Sequence, residues 1–409
     1  MNISSTAGAA GFAIDPGVPL VDGIISLDGA VLVHRPRTEG WRIKASVYDA
    51  QQAEVPQAIC WHSEGQPATV EAGFPRPNRI THLAGTWLFG GVYNPQFGHF
   101  FSETMARVWA LDHIDEKIEG VLFFPAYTTY QDTVENSFDD LFSIFDTRFN
   151  WKIMDQFYQV DKLIIPPQGS GIKTDMMSSP EYRAYLRGHI RDDLAPTGHD
   201  KIYISRSEFI EKRRSILGET ALEGLLEAEG YLVFHPQNHS LADQVRHYRS
   251  ARHIIGPDGS PFHMVNYVCG ADTNVAIIKR RKSIEYRYML DQTRWFQAGT
   301  GIPLDHCLSY WAPAGVRRAA LMMSAEVDFA AMAQVLLKHG MIDDAGPWQA
   351  LDKTALEADL KRFGASMGCD MHQVRGDGQS LADVPLLANG ESPQVFWRKG
   401  GPLNPVQLC

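Results

Sequence analysis

The clearest pattern of apolar and polar positions lies between Asp200 and Arg280, where short apolar runs alternate with segments whose apolar residues recur at helical spacing. Lys201-Ile-Tyr-Ile-Ser205 predicts a strand. From Arg214 to Glu229, Leu217, Leu222, Leu225 and Leu226 share one helical face, and Gly230 closes the segment as glycine commonly does at a helix C-terminus. Tyr231–Phe234 is the next strand, stopped by Pro236. Ser240 then caps a helix that runs to about Ala251, with Asp243 three residues on completing an approximate capping box. His253–Ile255 is a third strand, followed by the loop Gly256-Pro257-Asp258-Gly259-Ser260, a short helix and a fourth strand, Asn274–Lys279. Strands and helices in this alternation form a parallel sheet with helices on both faces.

The flanking regions are less regular. Up to about residue 90, short apolar stretches such as Ile24–Leu27 and Ala30–His34 alternate with Gly and Pro and predict short strands and loops. A helix is expected over Phe97–Asp112, a buried strand over Gly120–Pro125, a helix over Phe138–Phe145 and a strand over Lys162–Pro167. Beyond Lys282, Ala325–His339 and Ala350–Phe363 read as amphipathic helices, and from about Asp370 the chain is rich in Gly and Pro. The expected fold class is therefore α/β, with domains over residues 1–190 and 191–300 and a partly helical extension over 301–409.

Size and charge narrow the function classes. A chain of 409 residues accommodates two domains and a tail, and 44% hydrophobic with 21% charged residues is an ordinary globular composition. The net charge of −10 speaks against a nucleic-acid binder, which needs a basic face. The strongest apolar runs are strand-sized, far from the ~20 residues of a membrane span. The first basic residue is Arg35, and no secretory signal is legible before it. Cys60, Cys269, Cys307, Cys369 and Cys409 are scattered without a C-x-x-C pair, which suggests reduced thiols in a cytoplasmic protein rather than a zinc site or disulfide framework.

Three groups of residues could carry chemistry. On the expected helix after Phe97, His99, Glu103 and Arg107 recur every four residues on one face among apolar neighbours. They form either a solvated charge ladder or a polar stripe put to use; an H-x-x-x-E metal pair fits the spacing, but no third ligand is identifiable. At the carboxyl end of the Lys201–Ser205 strand, where open α/β sheets bind ligands, stands Arg206, with Arg213 and Arg214 further on. Arginine matches phosphate by its planar fork of donors. The loop Gly256–Ser260 also falls at the ligand end, and its glycines allow close backbone approach to a phosphate. It is neither G-x-G-x-x-G nor a P-loop, so a nicotinamide oxidoreductase has little support.

Taken in order, these pieces resemble the glycosyltransferase family 61 domain. The matching segments are Asn94-Pro-Gln-Phe-Gly-His-Phe-Phe-Ser-Glu103 with Arg107-Val-Trp109, Tyr203-Ile-Ser-Arg206, Arg213-Arg-Ser-Ile-Leu-Gly-Glu219, His239-Ser-Leu-Ala-Asp-Gln244 and Ile254-Ile-Gly-Pro-Asp-Gly-Ser260. The resemblance covers about residues 85 to 285. It implies a GT-B-like architecture of two Rossmann-like domains facing a cleft. It also implies inverting transfer of a sugar from a nucleotide-sugar, a UDP-sugar foremost, to a glycan or glycolipid hydroxyl in bacterial surface polysaccharide synthesis. No nucleic-acid partner, no transmembrane segment and no obligatory cofactor are implied, although Mn²⁺ or Mg²⁺ is allowed; the enzyme would work in the cytoplasm, in peripheral contact with the inner membrane.

Carried over residue by residue, Arg206 with Arg213 or Arg214 would hold the donor diphosphate, and Gly259 and Ser260 would contact it. Glu219 and Gln244 would serve as nucleoside or structural contacts. His99 or Glu103, with a slight preference for Glu103, would be the general base for the acceptor hydroxyl. Asn94 and Arg107 would lie on the acceptor side. Two departures stand out: the family usually has His where this chain has Asp258, and Asn where it has Gly218. A carboxylate at 258 would repel a diphosphate unless compensated, and His263 could replace the lost imidazole. The competing readings are a non-catalytic nucleotide-sugar or glycan binder and a metal-dependent hydrolase built on His99, Glu103 and Asp258.

Overall fold

The computed structural model of the chain describes residues 19–35, 42–126, 140–147, 149–209, 215–281, 285–296, 299–314 and 322–374. Two compact units divide after Arg191. The first is built on strands β1 (Ile25–Asp28), β2 (Val31–Arg35), β3 (Ile43–Tyr48), β4 (Trp61–Ser63), β5 (Gln66–Pro67), β6 (Thr69–Val70), β7 (Ile80–Tyr93), β8 (Gly120–Pro125), β9 (Trp151–Ile153) and β10 (Phe157–Ile165). Eight of them form one sheet in the order β6-β3-β2-β10-β7-β8-β9, with β1 also paired to β10; β4 and β5 make a separate hairpin. The run β10-β7-β8-β9 is parallel, whereas β1 and β2 join β10 antiparallel.

Next to the middle strand β10 lies β7, which is 14 residues long and falls in the region where sequence pattern suggests only short strands and loops. Its second half is buried without interruption because β8 and β10 flank it, so it lacks the alternation that marks a half-buried strand. Gly120–Pro125 is the strand its apolar run predicts. The expected helix Phe97–Asp112 is instead two elements: helix α1 (Phe97–Ser102) ends at Glu103, and a 3₁₀ segment, Thr104–His113, follows. Helix α2 (Pro180–His189) is capped by Ser179, whose side chain accepts the Tyr182 N–H. Of the helix expected over 138–145, residues 138 and 139 lie outside the described residues.

The second unit holds the predicted parallel sheet. Strands β11 (Lys201–Ile204), β12 (Leu232–Phe234), β13 (His253–Pro257), β14 (Asn274–Ile278) and β15 (Thr300–Leu304) are hydrogen-bonded in the order β12-β11-β13-β14-β15, every pair parallel. The connecting helices are α3 (Glu219–Ala228), α4 (Leu241–Ser250), α5 (Pro261–Val268) and α6 (Glu285–Trp295). Ser240 caps α4 as expected, accepting the Asp243 N–H at 3.1 Å. The helix expected from Arg214 starts only at Glu219, after Gly218 in the left-handed region (φ 74°), and Arg214 lies outside the described residues. Glycine tolerates this backbone without a Cβ penalty, which suits Gly218 to the turn.

Residues beyond 300 build more than helices. Strands β16 (Cys307–Pro313), β17 (Ser324–Val327) and β18 (Met371–Val374) form an antiparallel sheet in the order β17-β16-β18. The helix expected over Ala325–His339 is thus corrected. Its first residues belong to β17, and helix α7 (Phe329–Lys338) begins only after Asp328, whose carboxylate accepts the Ala331 N–H at 2.9 Å. Helix α8 (Lys353–Met367) covers most of the last predicted helix. Tyr203, Leu226, Ile255 and Ala276 share one apolar core with Tyr310, Ala325, Met332 and Trp348.

Candidate functional site

In the parallel sheet the strand order reverses between β11 and β13. The carboxyl ends of such a strand pair are where doubly wound sheets bind ligands, because the connections leave in opposite directions and open a crevice. Arg206 follows β11 at this end, and Asp258-Gly259-Ser260 follows β13. The two come close together: a Cβ placed on Gly259 would lie 3.2 Å from Nη1 of Arg206. The Arg206 guanidinium also lies 5.4 Å from the Phe209 ring centroid, and its backbone N–H donates to Glu219 Oε1 at 2.8 Å.

Glu219 serves to shape this site. Its Oε1 accepts the Tyr203 hydroxyl at 2.9 Å as well as the Arg206 N–H. Burial raises its pKa, a push that those hydrogen bonds and the charge of Arg206 only partly offset. Gln244 donates to the carbonyls of Pro236 and His239 at 2.8 and 3.3 Å and so holds the loop between β12 and α4. His263 is buried on α5, with Nδ1 2.9 Å from Gln292 Oε1 on α6. Ser260 opens α5 without a side-chain cap. Arg213 and Arg214 lie outside the described residues.

The repulsion expected of Asp258 is resolved by two arginines that motif reading passed over. Arg280 donates its backbone N–H to Asp258 Oδ2 at 3.2 Å and its Nε to the Asp258 carbonyl at 2.6 Å. Arg281 places Nε and Nη2 at 3.1 and 2.9 Å from Oδ1. Burial drives the Asp258 carboxyl upward, but these two charges overcome it and hold it below the usual carboxylate range. Both arginines sit just past the carboxyl end of β14, so the rule that flagged Arg206 also covered them. A small cavity beside Arg206 is lined by Ser207, Ser215 and Glu219 and, from α8, by Arg362 and Phe363.

The first unit carries a second cluster. His99 Nδ1 lies 2.6 Å from Glu103 Oε2, and His62 Nδ1 makes a short contact to Glu103 Oε1. The imidazoles are stacked, with centroids 5.7 Å apart and planes 11° apart. Burial would raise the Glu103 pKa, yet His99 and His62 pull it far below the ordinary value. For His99, burial lowers the pKa, and the Glu103 charge more than reverses this. An ionised Glu103 requires a proton on both Nδ1 atoms, which leaves each neutral ring with its lone pair on Nε2.

His62 is the third partner that spacing alone did not reveal. It lies on β4, a strand of three residues, and is positioned by Gln168, whose amide both accepts the Trp61 N–H and donates to the Trp61 carbonyl, at 3.0 and 2.7 Å. His62, His99 and Glu103 each offer a ligand atom within 4.8 Å of the others, a set that could hold a transition metal. The 2.6 Å contact between His99 and Glu103 is a direct hydrogen bond.

Arg107 does not share the stripe of His99 and Glu103, because the helix breaks at Glu103. It is buried, donates to the carbonyls of Ile59 (2.9 Å) and Pro166, and lies over the Phe89 ring. Asn94 is also buried: its Oδ1 accepts the Gln96 N–H at 3.1 Å, forming the turn that leads into α1.

Arginines gathered at the carboxyl ends of the central strands of a parallel sheet offer planar donor forks suited to phosphate oxygens. The Glycosyltransferase 61 family model matches residues 97–276. This match supports the assignment to glycosyltransferase family 61 and a glycosyltransferase in general. No curated protein matches the chain. Among the described residues no helix is long and apolar enough to cross a membrane.

Proposed function

We propose that the protein is an inverting glycosyltransferase that takes a sugar from a nucleotide-sugar, a UDP-sugar foremost, and transfers it to a glycan or glycolipid hydroxyl of a bacterial surface polysaccharide. A GT-B-like architecture, a cytoplasmic location and peripheral contact with the inner membrane belong to this reading. The observation that carries it is the approach of the Arg206 guanidinium to Gly259 where the strand order reverses. Here Arg206 holds the diphosphate of the donor, and the missing Cβ of Gly259 admits both the guanidinium and a phosphate oxygen. As the sugar–phosphate bond breaks, the negative charge developing on the diphosphate is stabilised by fixed cations, without an obligatory metal.

Inversion needs a base that takes the proton of the acceptor hydroxyl as its oxygen attacks the anomeric carbon. The His62–Glu103–His99 cluster supplies one. Glu103 has both oxygens on imidazole nitrogens and a depressed pKa, which makes it a weak base and a good orienting group. His99, the more exposed of the two histidines at 34% against 25%, takes the proton at Nε2 while Glu103 fixes its tautomer and stabilises the imidazolium.

Calorimetric titration with UDP, GDP, CDP, ADP and their sugars tests the donor site. Binding of one nucleoside diphosphate that weakens at least tenfold in Arg206→Ala is the expected result. Undiminished binding by Arg206→Ala rejects the assignment.

A further inference from the structure

The turn that opens α3 is fixed by residues from much later in the chain. Gly218 stands immediately before Glu219, and its backbone N–H donates to Asp359 Oδ2 on α8 at 2.7 Å. Two hydrogen bonds tie the preceding residues to β17. The Leu217 N–H donates to the Ala325 carbonyl at 2.8 Å, and the Ala325 N–H donates to the Ser215 carbonyl at 3.2 Å. Leu351 packs against the same turn: a Cβ placed on Gly218 would lie 2.6 Å from Leu351 Cδ1. The bonds to β17 join backbone to backbone, whereas the bond at Gly218 depends on one carboxylate.

That carboxylate is itself held in place. Asp359 Oδ1 accepts Nη2 of Arg362, one turn along α8, at 2.6 Å, which leaves Oδ2 directed at Gly218. A carboxylate at this end of α3 also meets the positive end of the helix dipole. What the turn carries is Glu219, the first residue of α3. Glu219 Oε1 accepts the Arg206 N–H at 2.8 Å and the Tyr203 hydroxyl at 2.9 Å. A displaced turn therefore displaces the carboxylate on which the Arg206 backbone rests. Arg362 and Phe363 line the same cavity as Arg206 and Glu219, so α8 reaches the site itself.

We infer that Asp359 is a positioning residue of the donor site: through the Gly218 N–H it sets Glu219, and through Glu219 it aims Arg206 at the diphosphate. This rests on the donor-site reading given above. It makes α8, which lies outside the 97–276 match, a working part of nucleotide binding in this chain.

The test is calorimetry on the full chain with UDP and inorganic pyrophosphate, using the wild type, Asp359→Ala, Asp359→Asn, Arg206→Ala and the double variant Arg206→Ala/Asp359→Ala. Another nucleoside diphosphate replaces UDP if a different base binds, and a thermal melt shows that each variant is folded. The expected result is that Asp359→Ala weakens binding about fivefold or more, while Asp359→Asn, whose amide oxygen still accepts the Gly218 N–H, stays close to wild type. In the Arg206→Ala background the alanine at 359 should cost less than about twofold, because the group it aims is gone. A merely structural role would cost the same factor in both backgrounds, which overturns the inference. So does an asparagine variant as weak as the alanine one. If Asp359→Ala does not fold, Asp359→Ser, whose hydroxyl is too short to reach Gly218, is titrated in its place alone and with Arg206→Ala. Wild-type affinity in the Asp359 variants, with loss in Arg206→Ala, overturns the inference and leaves the donor site standing. Undiminished binding by Arg206→Ala, or failure of the wild type to bind any of the nucleotides or pyrophosphate, removes both.

Discussion

His99 Nδ1 and Glu103 Oε2 stand 2.6 Å apart across the break that ends α1, and the bond fixes which nitrogen of the ring is left to accept a proton. Its consequence is a dependence of rate on pH. Glu103 raises the pKa of His99 above the ordinary imidazole value, and a base must be neutral to act. The rate therefore falls as pH drops through a value above about 6.5. In Glu103→Gln the raising charge is gone, so the acid limb moves to lower pH while kcat falls by about 10²-fold or more. A pH–rate profile of the two enzymes checks both. An acid limb that does not move would exclude His99 as the titrating base.

Gly259→Ala puts a methyl group 3.2 Å from Arg206 Nη1 and 3.6 Å from Pro261 Cδ. The guanidinium has to shift by a few tenths of an ångström, while the sheet beneath is untouched. Nucleoside diphosphate affinity should drop several-fold with little change in Tm, and Gly259→Val should drop it further. Titration calorimetry alongside a thermal melt separates the two effects.

Asp258→Asn removes a carboxylate that Arg280 and Arg281 share. Breaking a buried pair costs about 3–5 kcal/mol. The native Asp258 pKa is depressed, so its stabilisation is present above the unfolded value of about 3.9 and is lost as pH falls through the lower, folded value. The stability gap between wild type and Asp258→Asn, measured by urea unfolding, should be full at pH 7 and narrow below pH 4. A gap independent of pH would mean that the charge of Asp258 contributes nothing.

If protein cations hold the diphosphate, transfer proceeds in the presence of a chelator. Sugar transfer assayed with and without EDTA should differ by less than about twofold, far below the several kcal/mol that a Lewis-acid metal supplies. Loss of activity restored by Mn²⁺ would show that Arg206 and its neighbours do not suffice.

Much of the second unit was legible because its strands are short, apolar and punctuated: Gly230 and Pro236 on either side of β12 and the loop after β13 carry the periodicity on their surface. The first unit hid its plan. β7 is buried along its inner half and holds Gly85, Gly90 and Gly91, so neither alternation nor length betrayed it. His62 lies 41 residues from Glu103 on a three-residue strand, and no spacing rule connects them. Arg280 and Arg281 are a different case. They follow a predicted strand at the ligand end, and the signal was there to be used. Arg107 misled because helical spacing presumes an unbroken helix, and the chain leaves that path at Glu103.

The apolar core that joins Leu226 and Ile255 to Tyr310, Met332 and Trp348 sets a boundary for anyone who shortens the gene. Conserved-region limits and foldable limits do not coincide in this chain. A protein trimmed to residues 97–276 would discard β7, β15 and the residues that cover Ile255, and would expose what they bury. Expression as an insoluble product is the fate to expect of that fragment, and the recombinant second unit should run on to at least Val374.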